Sequence, residues 1–108
     1  MKSTICLNMI VKDEEHVIRQ TLDNLCKYIK FDYWVISDTG SIDRTKEIIQ
    51  EYFKDNGISG ELFKDEWRGF GYNRTLALEY AYGKTDYLLI FDADDRIHGK
   101  FQLPLVVQ

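Results

Sequence analysis

The sequence predicts a single α/β domain built on a parallel sheet with helices on both faces. Short, mostly apolar, strand-length segments alternate along the chain with segments whose apolar residues recur at helical spacing, and that alternation implies βαβ crossovers. With 108 residues the chain has room for one core, and neither an internal repeat nor a low-complexity linker divides it.

Ile5-Cys6-Leu7-Asn8-Met9-Ile10-Val11 is the first expected strand, apolar enough to be covered on both faces and ended by the charged run Lys12-Asp13-Glu14-Glu15. Ile18, Leu22, Leu25 and Ile29 then form one stripe, with Val17 and Thr21 beside it, which predicts a helix of about three turns whose start is crowded by acids that suit its dipole. Tyr33-Trp34-Val35-Ile36-Ser37 is aromatic and β-branched, a second strand. It stops at Asp38-Thr39-Gly40-Ser41, where glycine permits a tight turn and Ser41 or Asp43 can cap the next helix. That helix points Ile48, Ile49, Tyr52 and Phe53 inward, leaves Lys46, Glu47 and Glu51 outside, and breaks at Asn56-Gly57. Gly60 to Lys64 predicts a short third strand. Tyr72 to Tyr82, with Leu76, Ala77, Tyr80 and Ala81 in helical register, predicts a third helix ending at Gly83, and Tyr87-Leu88-Leu89-Ile90-Phe91 a buried fourth strand. Phe101 to Val107, interrupted by Pro104, is either an edge strand or an unsupported tail.

The chain carries 18 acidic and 14 basic residues, a formal net charge of −4. That balance disfavours a sequence-independent grip on nucleic acid, which needs a surplus of Lys and Arg on one face. No apolar run approaches the roughly 20 residues that span a bilayer, and Met1-Lys2-Ser3-Thr4 leads into a strand rather than a signal-peptide core, so no transmembrane segment and a cytoplasmic location are expected. Cys6 lies in a strand pattern and Cys26 in a helix pattern without a Cys/His cluster near either, which predicts two buried, reduced thiols.

Three acidic groups, Asp13-Glu14-Glu15, Asp38 and Asp92-Ala93-Asp94-Asp95, each follow an expected strand. The carboxyl ends of parallel strands line the ligand crevice of such sheets, so these groups should converge. Gathered carboxylates repel one another unless a cation compensates, which invites a hard divalent metal, Mg²⁺ or Mn²⁺, together with a phosphate ligand. Asp92 and Asp94 are the strongest candidates because no helical pattern starts behind them, whereas Glu14 and Glu15 also suit a helix N-terminus.

Four segments together, Met9 to Glu15, Ser37 to Thr45, Tyr72 to Leu78 and Phe91 to Asp95, resemble the family 2 glycosyltransferases of GT-A (Rossmann-like) fold, in the right order over residues 5 to 95. The resemblance implies a nucleotide-sugar donor, most often a UDP-sugar, a divalent metal held through the D-x-D motif, and transfer to an acceptor hydroxyl with inversion. By the same resemblance Asp38 accepts the uracil N3–H, Asp13 and Glu14 line the base pocket, and Arg74 pairs with the diphosphate or braces an aspartate of the metal site. Asp92 meets the ribose or the metal's water shell, and Asp94 coordinates the metal. Lys12 stands where relatives place an aromatic, and Thr75 replaces a frequent Asn. Bland roles compete: a turn or cap acid for Asp38, a solvated surface cation for Arg74.

Trp67-Arg68-Gly69-Phe70-Gly71 lacks a phosphate-loop pattern and is expected to be a connector. His16 is expected on a helix surface, and His98 follows the D-x-D motif closely enough to approach the metal. The family's catalytic base comes from an acceptor-binding half that follows D-x-D, so it is expected after residue 108 and none is assigned here. Residues 1–108 thus correspond to the nucleotide-sugar-binding part of a GT-A domain, truncated after the D-x-D strand, whether as a fragment, a shortened gene or one polypeptide of an assembly. Alone it should bind the donor without efficient transfer; the acceptor, a saccharide, lipid or protein, is undefined. Should transfer occur, Asp95 is the first candidate base. The competing readings are a nucleotidyltransferase, which needs a glycine-rich phosphate loop where Lys12-Asp13-Glu14-Glu15 stands, a receiver-like signalling domain, which needs a Lys-Pro pair where Lys100-Phe101 stands, and a non-catalytic sugar-nucleotide-binding module.

Overall fold

The computed structural model describes residues 3–92 and 105–107. Its elements run β1 (Ile5–Val11), α1 (Ile18–Tyr28), β2 (Tyr33–Asp38), α2 (Thr45–Asp55), β3 (Gly60–Lys64), α3 (Phe70–Ala81), β4 (Tyr87–Ile90) and β5 (Leu105–Val107). The strands form one sheet in the order β3-β2-β1-β4-β5. β1 pairs in parallel with both β2 and β4, and β2 with β3, whereas β5 lies antiparallel against β4 with Tyr87 opposite Val107. Of the two expectations for the Phe101–Val107 segment, the edge strand holds for Leu105–Val107, antiparallel to β4, and 101–104 lie outside the described residues.

Strand periodicity sorts the core into two layers. Leu7, Met9 and Val11 of β1, with Trp34 and Ile36 of β2, face α1 and α2 and pack against Ile18, Leu22, Leu25, Ile49 and Phe53. Cys6, Val35 and Leu88 point the other way, to Ala81 and Leu78 of α3. Helices thus cover both faces. α3 buries Asn73, Ala77 and Ala81, a stripe of small residues at four-residue spacing that lets the helix lie close to the sheet. At the β2–β3 edge, Gly60 makes room for the Trp34 indole: a Cβ there would meet the ring at 2.3 Å. The indole stacks on Phe53 with centroids 4.5 Å apart and donates Nε1–H to the Ile58 carbonyl.

Several local expectations shift. No acid stands in the first turn of α1; Asp13, Glu14, Glu15 and the exposed His16 precede the helix in a separate turn, because their hydrogen bonds go to the neighbouring loop. Ile29 caps α1 rather than extending it. α3 starts at Phe70, so the Trp67–Gly71 connector ends inside a helix. Both thiols are free, with Cys6 buried but Cys26 only half-buried, because Cys26 sits beside the buried stripe of α1 and not on it.

Candidate functional site

The parallel register brings Val11, Asp38 and Lys64 side by side, so the loops that leave β1 and β2 meet at the carboxyl edge of the sheet. They are laced together. Asp13 N–H donates to Ser41 Oγ and Asp13 Oδ1 accepts Ile42 N–H, both at 2.8 Å; Glu14 N–H donates to Thr45 Oγ1 at 2.8 Å; Glu15 N–H donates to Asp43 Oδ2 and Glu15 Oε2 accepts Arg44 N–H, both at 3.2 Å. Asp13 adopts φ 50°, the left-handed region that a non-glycine residue enters only when surrounding contacts over-determine it. Asp43 Oδ1 accepts both the N–H and the hydroxyl of Thr45 and so caps α2 from just before its first turn. Desolvation would raise the Asp43 carboxyl, but these bonds and the one from Glu15 N–H outweigh it and hold the group below its usual range.

Asp38 ends β2 and is 1% exposed. Its Oδ1 accepts the N–H groups of Gly40 and Ser41, at 3.0 and 2.8 Å, which is the work of a turn acid. Its Oδ2 is buried with no hydrogen-bond partner among the described residues. A buried carboxylate oxygen left in that state is costly.

Arg74 is no solvated surface cation. Projecting from the first turns of α3, its Nη2 donates to Asp92 Oδ1 at 2.6 Å and its Nη1 donates to Asn8 Oδ1. Asn8 is fully buried in the middle of β1 and spends its amide protons on the carbonyls of Val35 and Ala77, each at 3.0 Å. Where β4 ends, Asp92 Oδ1 also accepts Ile10 N–H at 3.2 Å, so the aspartate side chain takes over the backbone ladder at the point where the strand leaves the sheet. The result is a hydrogen-bonded chain Asn8–Arg74–Asp92, buried at Asn8 and part-buried at the other two, that fixes the first aspartate of the D-x-D motif. Asn8 was not among the sequence candidates, although a lone amide in an otherwise apolar strand was the signal for it.

A cleft of about 310 Å³ opens over this edge. Ile10 and Val11 line it from β1, Lys12, Glu14 and Thr39 from the two laced loops, and Asp92 from the end of β4. Trp67 and Phe70 complete it from the segment entering α3, where the sequence predicts only a connector. Of the expected donor-site residues, Glu14 and Asp92 thus reach the cleft, while Asp13, Asp38 and Arg74 do not line it. Asp94, Asp95 and His98 lie outside the described residues, and among the described residues no set of three metal-ligating side chains comes together.

The α/β fold with its parallel strands matches the N-terminal part of GT-A glycosyltransferases in solved structures. The chain is similar to the mannosyltransferase from Pyrobaculum calidifontis in complex with GDP-Man and Mn²⁺ (TM-score 0.70, 21% identity, 87% of this chain and 28% of that one). It is also similar to glucosyl-3-phosphoglycerate synthase from Mycobacterium tuberculosis in complex with Mg²⁺ and uridine-diphosphate (TM-score 0.60, 20% identity, 85% of this chain and 34% of that one). The chain spans about a third or less of the length of these enzymes. It belongs to glycosyl transferase family 2, whose model matches residues 6–108. No curated protein sequence matches it significantly.

Proposed function

We propose that this chain forms the donor-binding part of an inverting glycosyltransferase and takes a nucleoside-diphosphate sugar, a UDP-sugar, together with Mn²⁺ or Mg²⁺. The observation that carries the reading is the position of Asp92 in the cleft, braced by Arg74 and Ile10 N–H, at the start of the run that continues to Asp94. Because Arg74 already neutralises Oδ1 of Asp92, the aspartate is held as an oriented acceptor for the ribose or for the metal's water shell, and Asp94 takes the closer role of metal ligand. Carboxylates are the donor set that hard divalent cations prefer. Such a cation supplies charge neutralisation on the departing diphosphate. The Asp38 oxygen that has no partner among the described residues suits a base edge with one N–H between two carbonyls, which is the edge uracil presents.

Isothermal titration of the protein with UDP, with Mn²⁺ or in EDTA, tests this. Binding is expected only with the metal, since diphosphate and carboxylates otherwise repel, and Asp94→Ala should abolish the metal-dependent part. Equal binding in EDTA would remove the cation from the reading. Unchanged preference for UDP over other nucleotides in Asp38→Ala would remove Asp38 from base recognition.

A further inference from the structure

Trp67 is held in a way that core packing does not explain. Half of its surface, 49%, is exposed, yet the backbone on either side is clasped by one fully buried side chain: Asn73 Nδ2 donates to the Glu66 carbonyl at 3.0 Å, and Asn73 Oδ1 accepts Arg68 N–H at 2.8 Å. Asn73 N–H donates in turn to the Gly69 carbonyl, and Gly69 reaches φ 106° to start α3 immediately afterwards. A buried amide spent on shaping a surface loop presents the indole in a fixed position at the cleft. Phe70, 59% exposed on the first turn of α3, lines the same cleft. Ile10 and Val11 add aliphatic lining, and the turn after β1 offers Lys12, whose ammonium has no flat face. The cleft thus joins an aromatic wall to a cation and to the Asp92 end, matching a ligand with a planar ring at one end and phosphates at the other.

We infer that Trp67, supported by Phe70, is the stacking surface for the donor's nucleobase, and that Asn73 is the positioning residue that holds it there. This rests on the donor-binding reading and adds to it which face of the cleft the base occupies. Stacking tolerates any base because every base has a π face, so the wall sets affinity while hydrogen-bond acceptors set base identity.

Intrinsic fluorescence separates the two tryptophans: Trp34 is 6% exposed and stacked on Phe53, so a ligand in the cleft reaches only Trp67. The wild-type chain is titrated in Mg²⁺ with UDP, with GDP and with inorganic pyrophosphate, by fluorescence and by calorimetry. The nucleotide that binds is expected to quench the exposed indole, and pyrophosphate to bind without quenching. Trp67→Leu should weaken nucleotide binding about tenfold or more while leaving pyrophosphate affinity unchanged, and Trp67→Phe should recover most of the loss. Asn73→Ala, with the fold checked by circular dichroism, should weaken nucleotide but not pyrophosphate binding. Undiminished nucleotide heat in Trp67→Leu, or equal quenching by pyrophosphate, overturns the stacking assignment alone. Absence of binding by both nucleotides in the wild type overturns the donor-binding reading and the stacking with it.

Discussion

Replacing Asn8 by Ala removes the buried hub of the polar chain, and its cost can be worked from the contacts. The charge-assisted bond from Arg74 Nη1 to Asn8 Oδ1 is the main loss, and a bond of that kind contributes about 1.5–3 kcal/mol. The two amide bonds to Val35 and Ala77 matter less, because those carbonyls lie in a strand and a helix and keep their ladder partners. Arg74 Nε has no hydrogen-bond partner among the described residues, so little there compensates the guanidinium for the lost bond. A destabilisation of about 2–4 kcal/mol follows, which lowers Tm by about 10–25 °C in a domain of this size without unfolding it at low temperature. The assay is urea denaturation of Asn8→Ala, Arg74→Met and the double variant. Once Arg74 is gone, Asn8 has no charge to serve, so the two losses should overlap by at least about 1 kcal/mol. The cost of leaving Asp92 without its cation is common to Arg74→Met and the double variant and cancels. Losses that add within about 0.5 kcal/mol would show that Asn8 does not support Arg74, and the chain from β1 to Asp92 would have to be abandoned.

Gly60→Ala should destabilise by about 1–3 kcal/mol, because the new Cβ meets the ring of Trp34, itself pinned by Phe53, and a red shift of tryptophan emission should accompany the lower urea midpoint. In alkali, burial pushes the Cys6 thiol from its ordinary 9.0 up to about 12, and the hydrogen bond to Asp65, followed by burial, pushes the Tyr80 phenol from 10.0 up to about 12. Both native groups hold their protons longer than the unfolded chain does, so their contribution is fully present below about pH 9 and is lost as pH rises towards 12. Cys6→Ala should delay the onset of that loss, and a midpoint in urea that stays level from pH 8 to 11 would contradict the sign. Thiol labelling at pH 8 should modify half-buried Cys26 slowly and Cys6 only after unfolding, since burial raises both thiols but seals only Cys6; equal rates in the native protein would contradict the burial of Cys6.

What periodicity reports was legible in the chain. β1 to β4, the buried stripes of α1 and α2, and the arrival of Asp13, Asp38 and Asp92 at strand ends follow from alternation, helical spacing and turn chemistry, all of which act over a few residues. The resemblance carried by short motifs pointed in the same direction, and the family match over residues 6–108 agrees with it. The start of α3 was less legible, since a stripe of Asn73, Ala77 and Ala81 has little hydrophobic contrast against the rest of the helix.

The interior wiring was decided elsewhere. Asn8 meets Arg74 across 66 residues of sequence and Arg74 meets Asp92 across 18, and neither pairing has a local pattern that specifies it. The strand-end position of Asp38 is legible locally, but that folding spends one of its oxygens on a turn and buries the other is not. Trp67 looked like part of a connector, yet the clasp of Asn73 and the crossing of α3 over β1 and β2 bring it to the cleft. Local chemistry chooses strands, helices and turns because their hydrogen bonds close within a few residues or repeat with a fixed period. Which polar groups become buried, and which aromatic ring is left exposed beside them, depends on packing between distant elements, and only the assembled sheet with its two helical layers defines that.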